Sequence, residues 1–356
     1  MPLSLIEASG TPFELGHQIG TAIKATVQSI SIHNEEFVAA ERRWTGSDYI
    51  KQMMSLTKDV YPAFMEELRG LAEGMDIGFE RAFIWNCRGD LRWPDDISPE
   101  MAANLAEGCT SVIIPPADGN PGMIAHNEDG SFDYEGHCFW LKANPSNGPA
   151  FESFLYPGMI AGHSMGANSA GIVQTINNIR VHDLKPGLPR HFICRAILGS
   201  SSMDEAISHL KRKDRASGFH HNLGSAKEEK FLSVEAPASG CAIKEVSGAP
   251  STHANHLVFE EFKGIDQEIT TSSGNRQCRS EALVEALETP YPDPKNILFD
   301  QKSGEEILRM PKDGGDDYGQ TLATGIFTLG QSEITIDIYR DYSKKDTAQH
   351  RLPLIS

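Results

Sequence analysis

Residues 104–115, NLAEGCTSVIIP, contain the point at which this chain changes character. Up to Glu107 it is acidic and helix-prone; at Gly108 it turns, and from Cys109 it runs through β-branched residues to Pro115. Helical spacing of apolar residues gives way here to short strand-like runs, so the fold has a helical part followed by a sheet-forming part. The thiol at the switch has two readings. It is either a small buried residue that fills a gap, or a residue whose preceding peptide bond is meant to break.

Upstream, FELGHQIGTAIKATVQSI (13–30) spaces apolar residues at three and four, and Pro12 marks a helix start. YPAFMEELRGLAEGMDI (61–77) repeats the pattern, with Gly74 as the expected stop. The first hundred residues thus read mainly as helix, and 94–108 as an exposed connection. Downstream, CTSVIIP (109–115), GMIAHNED (122–129), HCFWLKAN (137–144), PAFESFLYPG (149–158) and GIVQTINNI (171–179) read as strands separated by Gly, Pro and Asn. Two helices are expected between 190 and 213. Strands resume at KFLSVEAP (230–237), CAIKEV (241–246) and HLVFEEF (256–262), followed by a helix at CRSEALVEAL (278–287). TLATGIFTLG and EITIDIY close the chain as a hairpin through Gly330 and Gln331, and PKDGGDD (311–317) reads as an exposed loop. Helices, strands, helices and strands again predict an α+β layering of antiparallel sheets with helices outside.

At 356 residues the chain can bury a sizeable core as one unit or two. Its formal net charge of −17 argues against a nucleic-acid partner, because nothing neutralises repulsion from phosphates. No run of eighteen apolar residues predicts a membrane span. The start, MPLSLIEASG, lacks the basic and apolar regions of an export signal, so the expectation is a cytoplasmic protein with reduced thiols. The six cysteines contain no CxxC pair, which argues against a cysteine-held zinc, and no metal or cofactor is expected. HExxH, GxSxG, Walker and GxGxxG patterns are absent. The Arg88-Gly89-Asp90 tripeptide reads as chance, and the pairs His220/His221 and His253/His256 lack a third ligand at metal-binding spacing.

Cys109 stands out by its setting. Glycine reaches backbone angles closed to other residues, which makes a strained bond between Gly108 and Cys109 sterically accessible. Cutting that bond gives Cys109 a free α-amine of ordinary pKa about 7.7–8.0, close to about 8.5 for a thiol. Such an amine can serve as general base for its own side chain, with no histidine needed. Downstream, Asp129 at the end of HNEDG would return beside Cys109 in a hairpin and hold that amine; as a bland alternative it is a turn residue before Gly130. Asn255 in STHANHL can donate to a developing oxyanion, or simply cap a turn. Arg276 and Arg279 open a helix, where a positive charge is unfavourable without a carboxylate or substrate anion beside it.

These residues carry a resemblance over nearly the whole chain. GTPFELGHQIG (10–20), MEELRGLAEGMDI (65–77), GCTS (108–111), HNED (126–129), GANSAGIVQTINNIR (166–180), GLPRHFICRAIL (187–198), THANH (252–256) and SSGNRQCR (272–279) occur in the order and spacing of one family. The sequence resembles the acyl-coenzyme A:6-aminopenicillanic acid acyltransferases, the autoproteolytic cysteine branch of the N-terminal nucleophile hydrolases.

The resemblance implies a four-layer αββα fold and a precursor that cuts itself between Gly108 and Cys109. Residues 1–108 would then form a small helical subunit and 109–356 the catalytic region, together one globular unit. It places the nucleophile on Cys109, the motif aspartate on Asp129, the oxyanion asparagine on Asn255 and a site arginine on Arg276. Asn177, with Asn178 an equal alignment, falls near the oxyanion site, and Asn127 is a supporting residue. Related bile-salt hydrolases carry an arginine where this chain has His126, so that activity loses support. The implied function is thioester-mediated cleavage of a small N-acyl amide, including β-alanyl-amine conjugates. The alternative is acyl transfer with a coenzyme A thioester as substrate. Partners are then the small molecule and the chain's own N-terminal fragment, with a homo-oligomer left open.

Overall fold

The computed structural model of the protein describes residues 3–91, 108–310, 319–340 and 347–355. The expected loop at 311–317 and the connection at 94–107 lie outside the described residues.

The chain opens on a short strand, β1 (Ser4–Gly10), and enters helix α1 (Pro12–Ser29) through a capping box in which Thr11 and Glu14 satisfy each other's exposed N–H groups. Helices α2 (Glu35–Trp44), α3 (Asp48–Val60), α4 (Pro62–Met75) and α5 (Phe79–Asn86) follow. The spacing Gly16/Gly20 on α1 matches Gly70/Gly74 on α4, and a Cβ at any of the four would lie 1.9–2.4 Å from a carbonyl oxygen of the facing helix. Backbone-to-backbone contact is what these glycines provide. Gly74 accordingly does not stop the helix; Asp76, in the left-handed region at φ 61°, does.

From Cys109 strands predominate: β2 (Cys109–Ile114), β3 (Met123–Gly130), β4 (Phe139–Pro145), β5 (Phe151–Leu155), β6 (Met165–Asn168) and β7 (Ile172–Asn178). Helices α6 (Arg190–Leu198) and α7 (Met203–Leu210) intervene before β8 (Phe219–Ser225), β9 (Lys230–Glu235), β10 (Ala242–Glu245) and β11 (Ser251–His253). Helices α8 (Thr271–Glu285) and α9 (Lys295–Leu298) lead to β12 (Gln320–Leu329), β13 (Glu333–Tyr339) and β14 (Thr347–Pro353). One sheet runs β1-β4-β5-β6-β7-β8-β9-β10, the other β11-β2-β3-β12-β13-β14.

The two sheets face each other through β2, β3, β7 and β8. Helices α1 to α7 lie outside the first sheet, and α8 with α9 outside the second. The fold is therefore the α+β, four-layer αββα arrangement. A single apolar cluster runs from Ile6 through the helical prelude to Leu352, so residues on both sides of the 108–109 bond share one core. A buried pair, Arg195 to Glu67 at 2.9 Å, ties α6 to α4.

Two further expectations change. The N-terminal region is not wholly helical: β1 adds to β4 in parallel, in otherwise antiparallel sheets. HLVFEEF is not a strand, because the N–H groups of Val258 and Phe259 donate to the buried Glu235 carboxylate (2.6 and 3.1 Å) instead of to a neighbouring strand.

Candidate active site

Strands β2 and β3 pair with Cys109 opposite Glu128, Thr110 opposite Asn127 and Ser111 opposite His126. Because side chains alternate along a strand, this register divides the hairpin's residues between two faces. Cys109, Ser111, His126 and Glu128 face the other sheet. Thr110, Asn127 and Asp129 face the outer helices.

On the inner face the Cys109 sulfur lies 4.0 Å from Glu128 Oε2. That carboxylate accepts hydrogen bonds from Ser164 Oγ (2.6 Å) and Tyr156 Oη (2.7 Å), and His126 Nε2 lies 2.9 Å from it. Burial opposes ionisation of Glu128, but the hydrogen bonds from His126, Ser164 and Tyr156 outweigh it and hold the group below the usual range. Ser111 Oγ donates to Asn177 Oδ1 (2.8 Å) and meets His126 Nδ1 at 2.8 Å. Burial, reinforced by Glu128 and Asp129, pushes the Cys109 thiol well above its usual range. An ordinary thiol in this position stays protonated until something takes its proton.

On the outer face, and around the backbone at 108–109, two guanidiniums converge. Arg276 reaches the Cys109 carbonyl, Thr110 Oγ1 (2.9 Å) and Asn255 Oδ1 (2.7 Å). Arg309 lies 3.8 Å from Asp129, whose other oxygen accepts from Thr321 Oγ1 at 2.7 Å. Burial raises Asp129 to about 6 against the pull of both arginines, and burial lowers Arg276 to about 10. The Cys109 N–H donates to Asn255 Oδ1 at 2.8 Å, and the Asp129 N–H donates to the Gly108 carbonyl at 3.0 Å.

Four of the residues singled out in the sequence therefore meet at one peptide bond: Gly108, Asp129, Asn255 and Arg276 around Cys109. Their contacts differ from expectation in detail. Asn255 presents its oxygen to the reactive end, and its Nδ2 donates to the Asn178 carbonyl at 3.0 Å, where an oxyanion donor was expected. Asp129 meets the bond through its N–H; its carboxylate belongs to Thr321 and Arg309. A Cβ on Gly108 would lie 2.7 Å from the Arg276 guanidinium and 3.2 Å from that of Arg309, so close approach by itself calls for a glycine here.

Asn177 sits between the sheets, bound to Ser111, His220, Asn222 and the His253 carbonyl, one layer behind the thiol. Asn178 receives Arg190. Asn127 holds β3 to the carbonyls of Leu298 (2.7 Å) and Ile307 (3.2 Å), away from the thiol. Arg279 pairs with Asp300 at 2.6 Å, which leaves Arg276 as the arginine of the site.

Glu128 and Arg309 were missed. The hairpin register would have placed Glu128 beside Cys109. A lone arginine in the apolar run ILRM (307–310) was the signal for Arg309.

The sequence profile of acyl-coenzyme A:6-aminopenicillanic acid acyl-transferase matches residues 117–341, well over half of the chain. The chain belongs to this family. Its match to the β-alanyl-dopamine/carcinine hydrolase of Drosophila melanogaster is 25% identical and covers 97% of this chain and 95% of that protein. The acyl-coenzyme A:6-aminopenicillanic-acid-acyltransferase of Emericella nidulans is 24% identical over 96% of this chain and 94% of its own length. Among solved structures, a mutant conjugated bile acid hydrolase from Clostridium perfringens aligns with a TM-score of 0.46 at 13% identity, covering 68% of this chain and 92% of that one.

Proposed function

We propose that this family member is a self-processed thiol amidohydrolase of the N-terminal nucleophile type, acting on a small N-acyl amide. The observation that carries the reading is the clamp on the 108–109 bond. The amide nitrogen is held by Asn255, the carbonyl oxygen by the Asp129 N–H, and the attacking sulfur belongs to the next residue.

In self-cleavage the sulfur attacks the Gly108 carbonyl and charge develops on an oxygen that already accepts from the Asp129 N–H. Preorganised donors at such an oxygen contribute on the order of 3 kcal/mol each. The carbon–nitrogen bond breaks as the nitrogen takes up the thiol proton and leaves as the α-amine of Cys109, and water opens the thioester, restoring the thiol and freeing the Gly108 carboxylate. Residues 1–108 and 109–356 stay together through their shared core.

In turnover the new α-amine, oriented by Asn255 Oδ1, takes the thiol proton. The sulfur attacks the substrate carbonyl, whose oxygen occupies the place vacated by the Gly108 carbonyl in front of the Asp129 N–H. The α-amine then protonates the leaving amine, and water resolves the acyl-enzyme. The Drosophila hydrolase makes β-alanyl conjugates of amines the first substrates to test. Acyl transfer from a coenzyme A thioester, the activity named for the Emericella relative, follows the same covalent steps with an amine in place of water. A cytoplasmic setting accords with the reduced cysteines, and no described helix is long and apolar enough to cross a membrane.

The test is incubation of purified protein with β-alanyl-dopamine, with and without an excess of a second amine, followed by mass spectrometry of products. Release of β-alanine supports hydrolysis, and a new amide with the added amine supports transfer. Absence of either product, with Cys109 alkylated no faster than a buried thiol, would contradict an active nucleophile.

A further inference from the structure

Sulfur, nitrogen and oxygen donors converge on the inner face of the hairpin. Ligand atoms of Cys109, His126 and Glu128, one from each, lie within 4.8 Å of one another; the Cys109 sulfur is 4.0 Å and His126 Nε2 2.9 Å from Glu128 Oε2. The sequence, read by spacing, offered no cysteine-held metal, because the three residues come from two strands and meet only through the hairpin register. A tetrahedral zinc holds sulfur at about 2.3 Å and nitrogen or oxygen at about 2.0–2.2 Å, so its ligands stand roughly 3.3–3.6 Å apart. The sulfur–oxygen separation exceeds that value and the nitrogen–oxygen separation falls short of it, and side-chain adjustments on the order of an ångström bring the three donors onto one ion.

The surroundings are those of a built site. A ligating imidazole needs its second nitrogen fixed as a donor. Here the Ser111 hydroxyl donates to Asn177 Oδ1, so its lone pairs are left for the His126 Nδ1–H at 2.8 Å, and Nε2 is the nitrogen turned towards Glu128 and the thiol. Asn177 is itself unambiguous, since its Nδ2 donates to the His253 carbonyl. Glu128 is anchored by Tyr156 on one oxygen and Ser164 on the other. All three donors are buried in one layer between rigid sheets.

We infer that Cys109, His126 and Glu128 form a binding site for a thiophilic divalent cation, with zinc as the fitting ion, and that occupation silences the nucleophile. On binding, zinc–sulfur, zinc–nitrogen and zinc–oxygen bonds form. The thiol proton and the proton shared between His126 and Glu128 leave to solvent, no group changes oxidation state, and the fourth zinc position is left to water. The sulfur lone pair that would attack a carbonyl is then held by the metal.

The experiment is a cobalt(II) and zinc(II) titration of the full chain, read by absorption and by competition, independent of any enzymatic activity. The expected result is one cobalt per chain with a thiolate charge-transfer band, displaced by zinc. Cys109→Ala loses the band, His126→Gln and Glu128→Gln weaken affinity at least about 100-fold, and Ser111→Ala weakens it about 10–100-fold with the band retained. Circular dichroism of each variant establishes that it is folded. Equal zinc affinity in wild type, His126→Gln and Glu128→Gln would overturn the site, as would a cobalt spectrum without thiolate character. Alkylation of Cys109 by iodoacetamide gives the functional arm: zinc slows it in the wild type, and a chelator restores it. Undiminished alkylation at saturating zinc would overturn the silencing.

Discussion

The two faces of the β2–β3 hairpin perform different tasks within a few ångströms of each other. The inner face holds the sulfur among neutral hydroxyls, a histidine and one carboxylate, between two sheets and away from water. The outer face holds two arginines and an aspartate under a helical layer and reaches the same peptide bond only through backbone atoms and Asn255. Burial has opposite consequences on the two sides. Inside, it keeps the thiol protonated and inert until a base is available. Outside, it fixes the guanidiniums and Asn255 around the 108–109 peptide bond, which on the proposed reading holds and polarises that bond before reaction. On that reading the nucleophile belongs to one face and the electrophile is held from the other, and the strand's alternation joins them.

The comparison can be broken at the inner face with the largest effect. Cys109→Ala removes the sulfur, and turnover should fall by at least about 1,000-fold in a steady-state assay, because nothing else described on that face can form the thioester. At the junction of the faces, Asn255→Ala leaves the Cys109 nitrogen and a buried arm of Arg276 without their acceptor. A gel time course of processing in a cell-free translation should slow by about 100-fold, with about 2–3 kcal/mol of stability lost in urea unfolding.

Acid should break both faces, and its sign follows from the buried groups. Burial lowers His163 to about 4 and His221 to about 3, and takes His191 and His220 well below 6.5. The unfolded chain then binds more protons than the native one between about 4 and 6.5, and stability is lost as pH falls through that window. Asp90 and Asp129, raised by burial from 3.8 to about 6, act oppositely and gain stability on the same descent. Four histidines act in one direction and two aspartates in the other, so the histidines prevail. Urea midpoints should fall between pH 6.5 and 4 by the equivalent of a few kcal/mol; a rise would contradict the burial of the histidines as neutral rings.

Smaller effects sharpen the division. Asn127→Ala removes the bonds to the Leu298 and Ile307 carbonyls and the acceptor of Thr324 Oγ1, and should cost about 2–3 kcal/mol in thermal unfolding while turnover per folded molecule is unchanged. A lost turnover would move Asn127 into the site. Gly108→Ala places a methyl group against two guanidiniums. Processing should slow about tenfold, a barrier of about 1.4 kcal/mol, while the activity of the processed protein, which has released that residue from the thiol, is unaffected.

Much of this was legible in the sequence because local chemistry matched the outcome. Strand β2 begins at Cys109, where the sequence changes its period, the final hairpin is present, and Cys109, Asp129, Asn255 and Arg276 converge. What the sequence hid depended on register and on long-range partners. Which side chain shares a face with Cys109 is set by how β2 pairs with β3, and a shift of one residue would have exchanged Glu128 for Asp129. HLVFEEF has strand composition, yet Glu235 captures its N–H groups from another part of the chain. The strand at Ser4–Gly10 is stabilised by a parallel partner more than a hundred residues away, which no local periodicity reports. Arg309 reads as an odd charge in an apolar run until the fold brings it to Asp129.

The central claim is that the 108–109 bond is held in order to be cut, and the intact mass of the purified protein tests it most directly. In proportion to chain length, a cut after residue 108 of this 39.0 kDa chain gives fragments of about 12 and 27 kDa. Two such fragments in the wild type and a single full-length species in Cys109→Ala are the predicted result. A single 39.0 kDa species in both, with full amidase activity in the alanine variant, would contradict it.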